Sequence, residues 1–171
     1  SLKELEHSLA GAVLAAGAGR CKSLEEFSVA EIRAQIELNL TQHIIVARTV
    51  VPLLKRRGRG DLVVIGSESG LRGRKRGALY SAAKFGLRGL TQALREEGVS
   101  SGLRVSLVNP GSVRTEFFDD LDFEPGPEPD HAIDAGQIGD LVIEILGARS
   151  NVVFDEINLS PRRRVLRRRG G

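Results

Sequence analysis

Four short apolar segments alternate with helix-length segments along the chain, and this alternation limits the possible folds more than any other feature of the sequence. The apolar segments, each bounded by turn-forming residues, are residues 11–16, 61–66, 103–109 and 151–159. Runs of this length with little polar alternation are typical of strands that are buried on both faces. We therefore predict four strands of a parallel sheet at these positions.

The segments between these strands predict helices over residues 28–57, 78–98 and 134–147. Ser28 followed by Glu31 forms a capping box at the start of one helix, and Asp134 with Gln137 forms another. Strands that alternate with helices favour right-handed crossovers and helices on both faces of the sheet. The sequence therefore predicts an α/β fold, a doubly wound and Rossmann-like parallel sheet in three αβα layers.

The composition is typical of one soluble globular domain. The chain has 171 residues, of which 41% are apolar and 27% are charged, and no apolar run is long enough to span a membrane. The N-terminal residues have no signal-peptide pattern. A single cysteine, Cys21, excludes an internal disulfide and suits a reducing compartment. We therefore expect a cytoplasmic protein without membrane partners.

The positive charge of the chain is concentrated at its C-terminus, in Arg162, Arg163, Arg164, Arg167, Arg168 and Arg169. Removing these arginines from the 25 basic residues leaves 19 against 22 acidic ones, so the rest of the chain is mildly acidic. Such a segment suits nucleic acid or anionic lipid, but no aromatic residue is interleaved for base stacking. We therefore predict that residues 161–171 are a disordered, solvated tail, and we do not expect nucleic acid as a partner.

Chemically reactive residues follow the predicted strands. Gly17 follows the first strand, Ser67 the second, and NPGSVRT (109–115) begins at the end of the third. Tyr80 and Lys84 begin the helix after the second strand and lie one helical turn apart. In doubly wound sheets, ligands bind at the carboxyl ends of the strands. The sequence therefore predicts a single site that combines these residues.

The motifs NLTQ (39–42), IGSESG (65–70), YSAAK (80–84) and NPGSVRT (109–115) occur in a recognisable order. In order and spacing they resemble the short-chain dehydrogenase/reductase family, and the resemblance extends from VLAAGAG to DEINLSP. It implies an oxidoreductase that uses NAD or NADP to transfer hydride to or from a secondary alcohol or ketone, a small-molecule substrate.

The resemblance implies that Asn39, Ser67, Tyr80 and Lys84 are the catalytic residues. Tyr80 would be the general acid/base at the substrate oxygen, and Ser67 would hydrogen-bond the same oxygen. A free phenol has a pKa of ~10, so the Lys84 ammonium one turn away would favour the phenolate. Asn39 would hold a water that links Lys84 to solvent.

The resemblance also implies cofactor contacts. Lys84 would hold the nicotinamide ribose, the Pro110, Gly111 and Val113 segment would line the nicotinamide, and Thr115 would contact its amide or a phosphate. Gly17 would belong to the same site, although LAAG (14–17) lacks both asparagines of the family's NNAG stretch.

Each of these residues also has an ordinary structural interpretation. Asn39 could be a satisfied helix residue, Ser67 a turn residue and Thr115 a helix cap. Tyr80 and Lys84 could lie on a solvated helix surface. We favour the catalytic interpretation because all of them fall at one predicted edge of the sheet.

Other polar residues near these motifs are interpreted as structural or solvated. The basic run of Arg72, Arg74, Lys75 and Arg76 would suit an acidic substrate or a cofactor phosphate, but a solvated loop is the preferred interpretation. His7, His43 and His131 have no metal-ligand spacing, so we interpret them as structural or exposed and expect no metal.

Only ten residues precede the first strand, and they contain no glycine-rich phosphate-binding turn. We therefore expect that the N-terminal βαβαβ half of the family's cofactor-binding fold is absent, so that residues 1–160 form the C-terminal part of such a domain. The activity of this chain by itself then stays open. The alternative is a catalytically silent, truncated fragment that acts as a dimerisation or interaction module, with nucleic acid on the arginine tail.

The helices also suggest an assembly. Leu87, Leu90 and Leu94 recur at helical spacing in the second long helix. Because helices of this family form two-fold interfaces, the resemblance implies a homodimer or homotetramer.

Overall fold

A computed structural model describes residues 8–169 of the chain. The strands are β1 (Gly11–Leu14), β2 (Gly60–Ile65), β3 (Leu103–Pro110), β4 (Val113–Arg114), β5 (Phe123–Pro125), β6 (Ile133–Asp134), β7 (Glu156–Leu159) and β8 (Leu166–Arg168). The helices are α1 (Val29–Ile36), α2 (Gln42–Arg56), α3 (Ala78–Gly98) and α4 (Ala135–Leu146). The predicted elements are all present, and both predicted capping boxes start their helices, at Ser28 and Asp134.

The main sheet has the order β1-β2-β3-β7, and every neighbouring pair is parallel. Val63 of β2 lies opposite Val13 of β1 and Ser106 of β3. The outer strands are shorter than the apolar runs that predicted them, since β1 ends at Leu14 and β7 begins only at Glu156. The predicted α/β architecture with a parallel sheet is confirmed.

Helices cover both faces of this sheet. On one face, the buried side chains of α2 and α3, such as Leu54 and Leu87, pack with Leu62 of β2. On the other face, Val142 and Ile145 of α4 pack against the sheet. The sequences of β2 and β3 are apolar runs because both faces of these strands are buried. No helix within residues 8–169 has the length and apolar character that a membrane crossing requires.

The long helix predicted over residues 28–57 is interrupted. A π-helical turn, Glu37–Thr41, separates α1 from α2. Such a turn inserts one extra residue into the helix and often marks a functional position. Here it contains Asn39, whose side chain is fully buried and points back towards the end of β1.

The leucines that suggested an assembly surface lie in the core instead. Leu87 is fully buried, and Leu90 and Leu94 pack against the same cluster. The argument for an interface at these leucines was therefore wrong, because their helical stripe faces the sheet. The exposed apolar side chains on these helices are others, including Ile45 of α2 and Phe85 of α3.

The segment after residue 160 is folded as far as Arg169. β8 pairs antiparallel with β5, which lies inside the predicted loop of residues 116–131. The predicted disorder of residues 161–171 therefore differs from the structure over 161–169, while the last two residues lie outside the described part of the chain.

Charge complementarity explains this order. Arg163 contacts Asp130 at 3.2 Å, and Arg164 contacts Glu68 at 2.7 Å. Glu124 accepts hydrogen bonds from both Arg167 and Arg169, and Arg169 also pairs with Asp119. Single exposed ion pairs contribute little, but a network on paired strands holds a segment in place. The arginines serve as counter-charges for the acidic body of the same chain.

Candidate active site

A cavity of about 1280 Å³ opens at the carboxyl ends of β1, β2 and β3. The cavity is lined by eight of the nine residues that the sequence singled out: Gly17, Ser67, Tyr80, Lys84, Pro110, Gly111, Val113 and Thr115. Asn39 is absent from the lining, because it is buried behind it. The structure therefore brings the predicted residues to one place, as the parallel sheet requires.

Ser67 follows β2 after Gly66 and begins a tight turn. Its Oγ accepts a hydrogen bond from the backbone N–H of Ser69 at 3.1 Å, and its own N–H donates to Asn109 Oδ1 at 3.2 Å. The Ser67 side chain also acts on the Tyr80 phenol and lowers its pKa, which favours the phenolate. The hydrogen bonds to Ser69 and Asn109 thus fix the Ser67 side chain at the end of the sheet.

Tyr80 lies in the first turn of α3, with its ring 5.7 Å from that of Phe117. Burial raises the pKa of Tyr80 to about 12, and the neighbouring Ser67 side chain offsets only part of this shift. We expected an environment that favours the phenolate, and the direction of the shift is the opposite. The phenol is therefore protonated at neutral pH.

Lys84 follows one helical turn later and is only 4% exposed. Its Nζ donates a hydrogen bond to the carbonyl oxygen of Ile65 at 3.2 Å and lies 5.6 Å from the centre of the Tyr80 ring. Burial lowers the pKa of Lys84 to about 8. Gly70 permits this packing, because a Cβ there would lie 2.8 Å from the Lys84 carbonyl oxygen.

Asn39 holds the turn that follows β1. Its Nδ2 donates to the carbonyl oxygens of Ala18 at 3.0 Å and Gln35 at 3.1 Å, and its Oδ1 accepts from the Ala18 N–H at 3.2 Å. A Cβ at Gly17 would lie 2.9 Å from the same Oδ1 and 3.6 Å from Lys84 Nζ. Asn39 therefore positions Gly17 beside Lys84, and its role in binding a water stays a prediction.

The NPGSVRT segment forms another wall of the cavity. The Gly111 N–H donates to the carbonyl oxygen of Leu159 at 2.8 Å, which fixes the segment beside β7. Thr115 Oγ1 accepts from the Phe117 N–H at 3.3 Å and so caps the following turn. The structural interpretation of Thr115 is therefore present in the fold, and Thr115 also lines the cavity.

Sequence reasoning missed Asn109 and Cys21. Asn109 is buried and donates to Glu156 Oε1 and Asn158 Oδ1, both at 3.0 Å, while its Oδ1 accepts from Ser67. It therefore fixes the position of Ser67, and a polar residue at the end of an apolar strand was the available signal. Cys21 lines the cavity, and no local pattern indicated this because its neighbours there come from distant segments.

The histidines take structural places where the structure describes them. His43 and His131 are both buried, and burial lowers the pKa of His43. His7 lies outside the described residues. Within residues 8–169, no cluster of His, Cys, Asp and Glu side chains is arranged to hold a metal ion.

The comparison with protein-family models decides the family. The model described as "short chain dehydrogenase" matches residues 3–124. The chain belongs to the short-chain dehydrogenase family. The match includes the cavity residues from Gly17 to Thr115.

Individual relatives agree with this assignment. An uncharacterised oxidoreductase of Staphylococcus epidermidis is 26% identical over 149 residues, which are 87% of this chain and 63% of that protein. An acetoacetyl-CoA reductase of Allochromatium vinosum is 40% identical over 100 residues, 58% of this chain and 41% of that protein. This chain therefore spans less than two thirds of either relative, and the predicted absence of an N-terminal half stays a prediction.

Among solved structures, an alcohol dehydrogenase of the archaeon Thermococcus sibiricus, complexed with 5-hydroxy-NADP, is similar in fold. It superimposes with a TM-score of 0.80 at 28% sequence identity, over 92% of this chain and 66% of that one. The similarity confirms the Rossmann-like arrangement of sheet and helices.

Proposed function

We propose that this chain contributes the catalytic site of an NAD- or NADP-dependent oxidoreductase that interconverts a secondary alcohol and a ketone. The observation that carries the proposal is the grouping of the Ser67, Tyr80 and Lys84 side chains on one cavity at the carboxyl ends of the strands. Membership of the short-chain dehydrogenase family supports a nicotinamide cofactor.

In this proposal Tyr80 is the group that moves the proton. When a ketone is reduced, its oxygen gains negative charge, and the Tyr80 O–H donates a proton to that oxygen. The Ser67 hydroxyl donates a hydrogen bond to the same oxygen and stabilises the developing charge. A Tyr80 pKa of about 12 keeps the phenol protonated at neutral pH, which is the form that reduction requires. Alcohol oxidation would require its conjugate base.

The side chains around the cavity fit the nicotinamide end of a cofactor. The Lys84 ammonium, buried beside the turn at Gly17, has one hydrogen bond within residues 8–169, to the Ile65 carbonyl, and can donate others to ribose hydroxyls. Gly111 lies where the chain passes close to the cavity, and a Cβ there would lie 2.9 Å from Pro161. When bound, the cofactor would supply or accept the hydride. These residues do not discriminate NAD from NADP.

The rival hypothesis, a silent module that binds nucleic acid through its arginines, loses support from the ion pairs of residues 163–169. Phosphate binding needs guanidinium groups that are free to contact a backbone. Arg164, Arg167 and Arg169 already contact carboxylates of the same chain.

Tyr80→Phe is the direct test, because it removes the proton donor and keeps the ring. Ketones are screened with NADH and NADPH, and turnover is followed as oxidation of the reduced cofactor. We expect kcat to fall by roughly 100- to 10,000-fold, with cofactor affinity nearly unchanged. Lys84→Ala should weaken both turnover and cofactor binding. A Tyr80→Phe protein within about threefold of the wild-type kcat would overturn the proposed role of Tyr80.

A further inference from the structure

We propose that the substrate of this cavity carries a negative charge beside an apolar body, and that a basic rim binds this charge. The basic rim consists of Arg74, Lys75, Arg76, Arg114 and Arg164, all of which line the cavity. The inference rests on the proposed function and narrows its substrate class. It replaces the interpretation of residues 72–76 as a merely solvated loop.

The carboxylates beside the rim neutralise only part of its charge. Glu68 is shared, since it contacts Arg164 Nη2 at 2.7 Å and Arg74 Nη2 at 3.3 Å. Asp122 pairs with Arg76 at 2.9 Å. One carboxylate thus serves two guanidinium groups, and the arginines retain excess positive charge at the cavity.

Two further members of the rim have no carboxylate partner within residues 8–169. Arg114 donates its Nη2 hydrogens to the carbonyl oxygens of Gly126 and Glu128, at 3.3 and 3.1 Å, which leaves its charge uncompensated. Lys75 has no hydrogen bond or ion pair with any described residue. Glu116 is the remaining acidic residue of the lining, so the five basic groups of the rim exceed the three carboxylates of Glu68, Glu116 and Asp122 by two.

An apolar wall lies in the same cavity as the rim. Phe117, Phe118 and Phe123 form a continuous ring series, with centroids 5.2 and 6.0 Å apart. Phe117 also contacts Tyr80, so the wall begins beside the reacting group. A cavity with this wall and a cationic rim is complementary to an acyl or aryl ketone that bears a carboxylate or phosphate. Low-dielectric walls also strengthen the field that a charged rim produces.

The test measures binding without turnover. The ketone para-acetylbenzoate and its methyl ester share a ring and a ketone and differ in charge. Isothermal titration calorimetry of the protein should show that the carboxylate binds about tenfold more tightly than the ester. Added salt should reduce this preference, since it screens an exposed rim.

Two substitutions of Lys75 and one control substitution locate the effect. Lys75→Glu should raise the Kd of the carboxylate by about tenfold and leave that of the ester within about twofold. Lys75→Ala should give a smaller loss of the same kind. Arg72→Glu is the control, because Arg72 lies in the same loop and is exposed but does not line the cavity. It should leave both affinities nearly unchanged.

Several results would overturn the proposal. Equal affinity for the two ketones would show that the cavity has no preference for an anion. Binding of neither ketone would show that the cavity does not take substrates of this class. Equal losses in Lys75→Glu and Arg72→Glu would assign the effect to net charge alone. The anion that the rim binds could instead be a phosphate of the cofactor. Titrations with NADH and NADPH distinguish this alternative from a substrate anion. If Lys75→Glu weakened NADPH selectively and left the ketones unchanged, the rim would serve the cofactor phosphate.

The outcome is separable from that of the proposed function. Tyr80→Phe should retain the preference for the carboxylate, because the phenol lies outside the rim. A protein that binds the carboxylate through Lys75 but shows no oxidoreductase activity would keep this inference and lose the proposed reaction.

Discussion

The Lys84 ammonium lies 5.6 Å from the centre of the Tyr80 ring, and both residues line the same cavity. Burial shifts their pKa values in opposite directions, to about 12 for Tyr80 and about 8 for Lys84. Each shift favours the neutral form of its group, because a low dielectric penalises charge. At neutral pH the pair therefore consists of a phenol and an ammonium that is close to losing its proton.

This arrangement predicts how stability depends on pH. Lys84 has its pKa lowered on folding from 10.5 to about 8, so the unfolded chain binds more protons between these values. Stability should therefore rise with pH through this window. Between pH 7 and 9.5 the contribution of Lys84 amounts to about 2 kcal/mol. Urea unfolding across this range should show the rise in the wild type relative to Lys84→Met.

Lys55→Met is the matched control, since Lys55 is a half-buried lysine on α2, away from the cavity. The pH dependence of the unfolding free energy of Lys55→Met should follow that of the wild type. If Lys84→Met and the wild type respond to pH in parallel, the Lys84 pKa is not lowered by folding.

Asn39 should be more important for the turn after β1 than for the stability of α2. Replacing it by Leu leaves the N–H and carbonyl of Ala18 without their partners. Unfolding free energy should fall by about 1–3 kcal/mol, and the Ala18 amide should exchange with solvent faster. Hydrogen exchange followed by NMR measures this directly. Asn151→Leu, at an exposed position, should leave the Ala18 amide protected.

Glu124 should keep the C-terminal strand paired. It accepts hydrogen bonds from Arg167 and Arg169, so Glu124→Gln removes the shared counter-charge. Because trypsin cleaves after arginine, limited trypsin proteolysis should cleave Glu124→Gln within residues 163–169 faster than the wild type. Added salt should accelerate the same cleavage in the wild type. Glu128→Gln, a neighbouring carboxyl without an ion pair to any described residue, should not change the rate. Equal protection of Glu124→Gln would show that β-pairing alone holds the strand.

The exposed apolar residues of α2 and α3 predict self-association. Ile45 is 54% exposed and Phe85 43%, although both lie on helices that otherwise pack into the core. We expect a homodimer or homotetramer that buries these side chains, and Ile45→Asp should dissociate it because charge is depleted at interface centres. Ile143→Asp, on α4, should have no such effect. Light scattering at micromolar concentration measures the mass, and a wild-type monomer would contradict the prediction.

The secondary structure of the main sheet and its helices followed from local patterns. The Ser28–Glu31 capping box predicted the start of α1, and the apolar runs predicted β2 and β3 within one residue at each end. Helical spacing also placed Tyr80 and Lys84 on one face of α3. Such features depend on residues close together in the chain, and a single sequence contains them.

The pKa values at the site and the burial of the Leu87 stripe depended on tertiary structure. The phenolate-favouring role of Lys84 was inferred from its spacing alone, whereas burial by distant segments controls the pKa values of both residues. The Leu87 stripe was assigned to an interface because periodicity shows that a face is apolar but does not show what covers it.

The C-terminal arginines show the same difference between what local sequence predicts and what tertiary structure decides. Their number and position were evident from the sequence, and a run of like charge ordinarily favours a solvated tail. Arg169 becomes ordered because folding brings Asp119 and Glu124 next to it, although these residues are 50 and 45 positions away in the chain. The sequence by itself determined the elements, their order and the reactive residues at the strand ends. Only the tertiary structure decided burial and ionic partners, because both depend on contacts between segments that are distant along the chain.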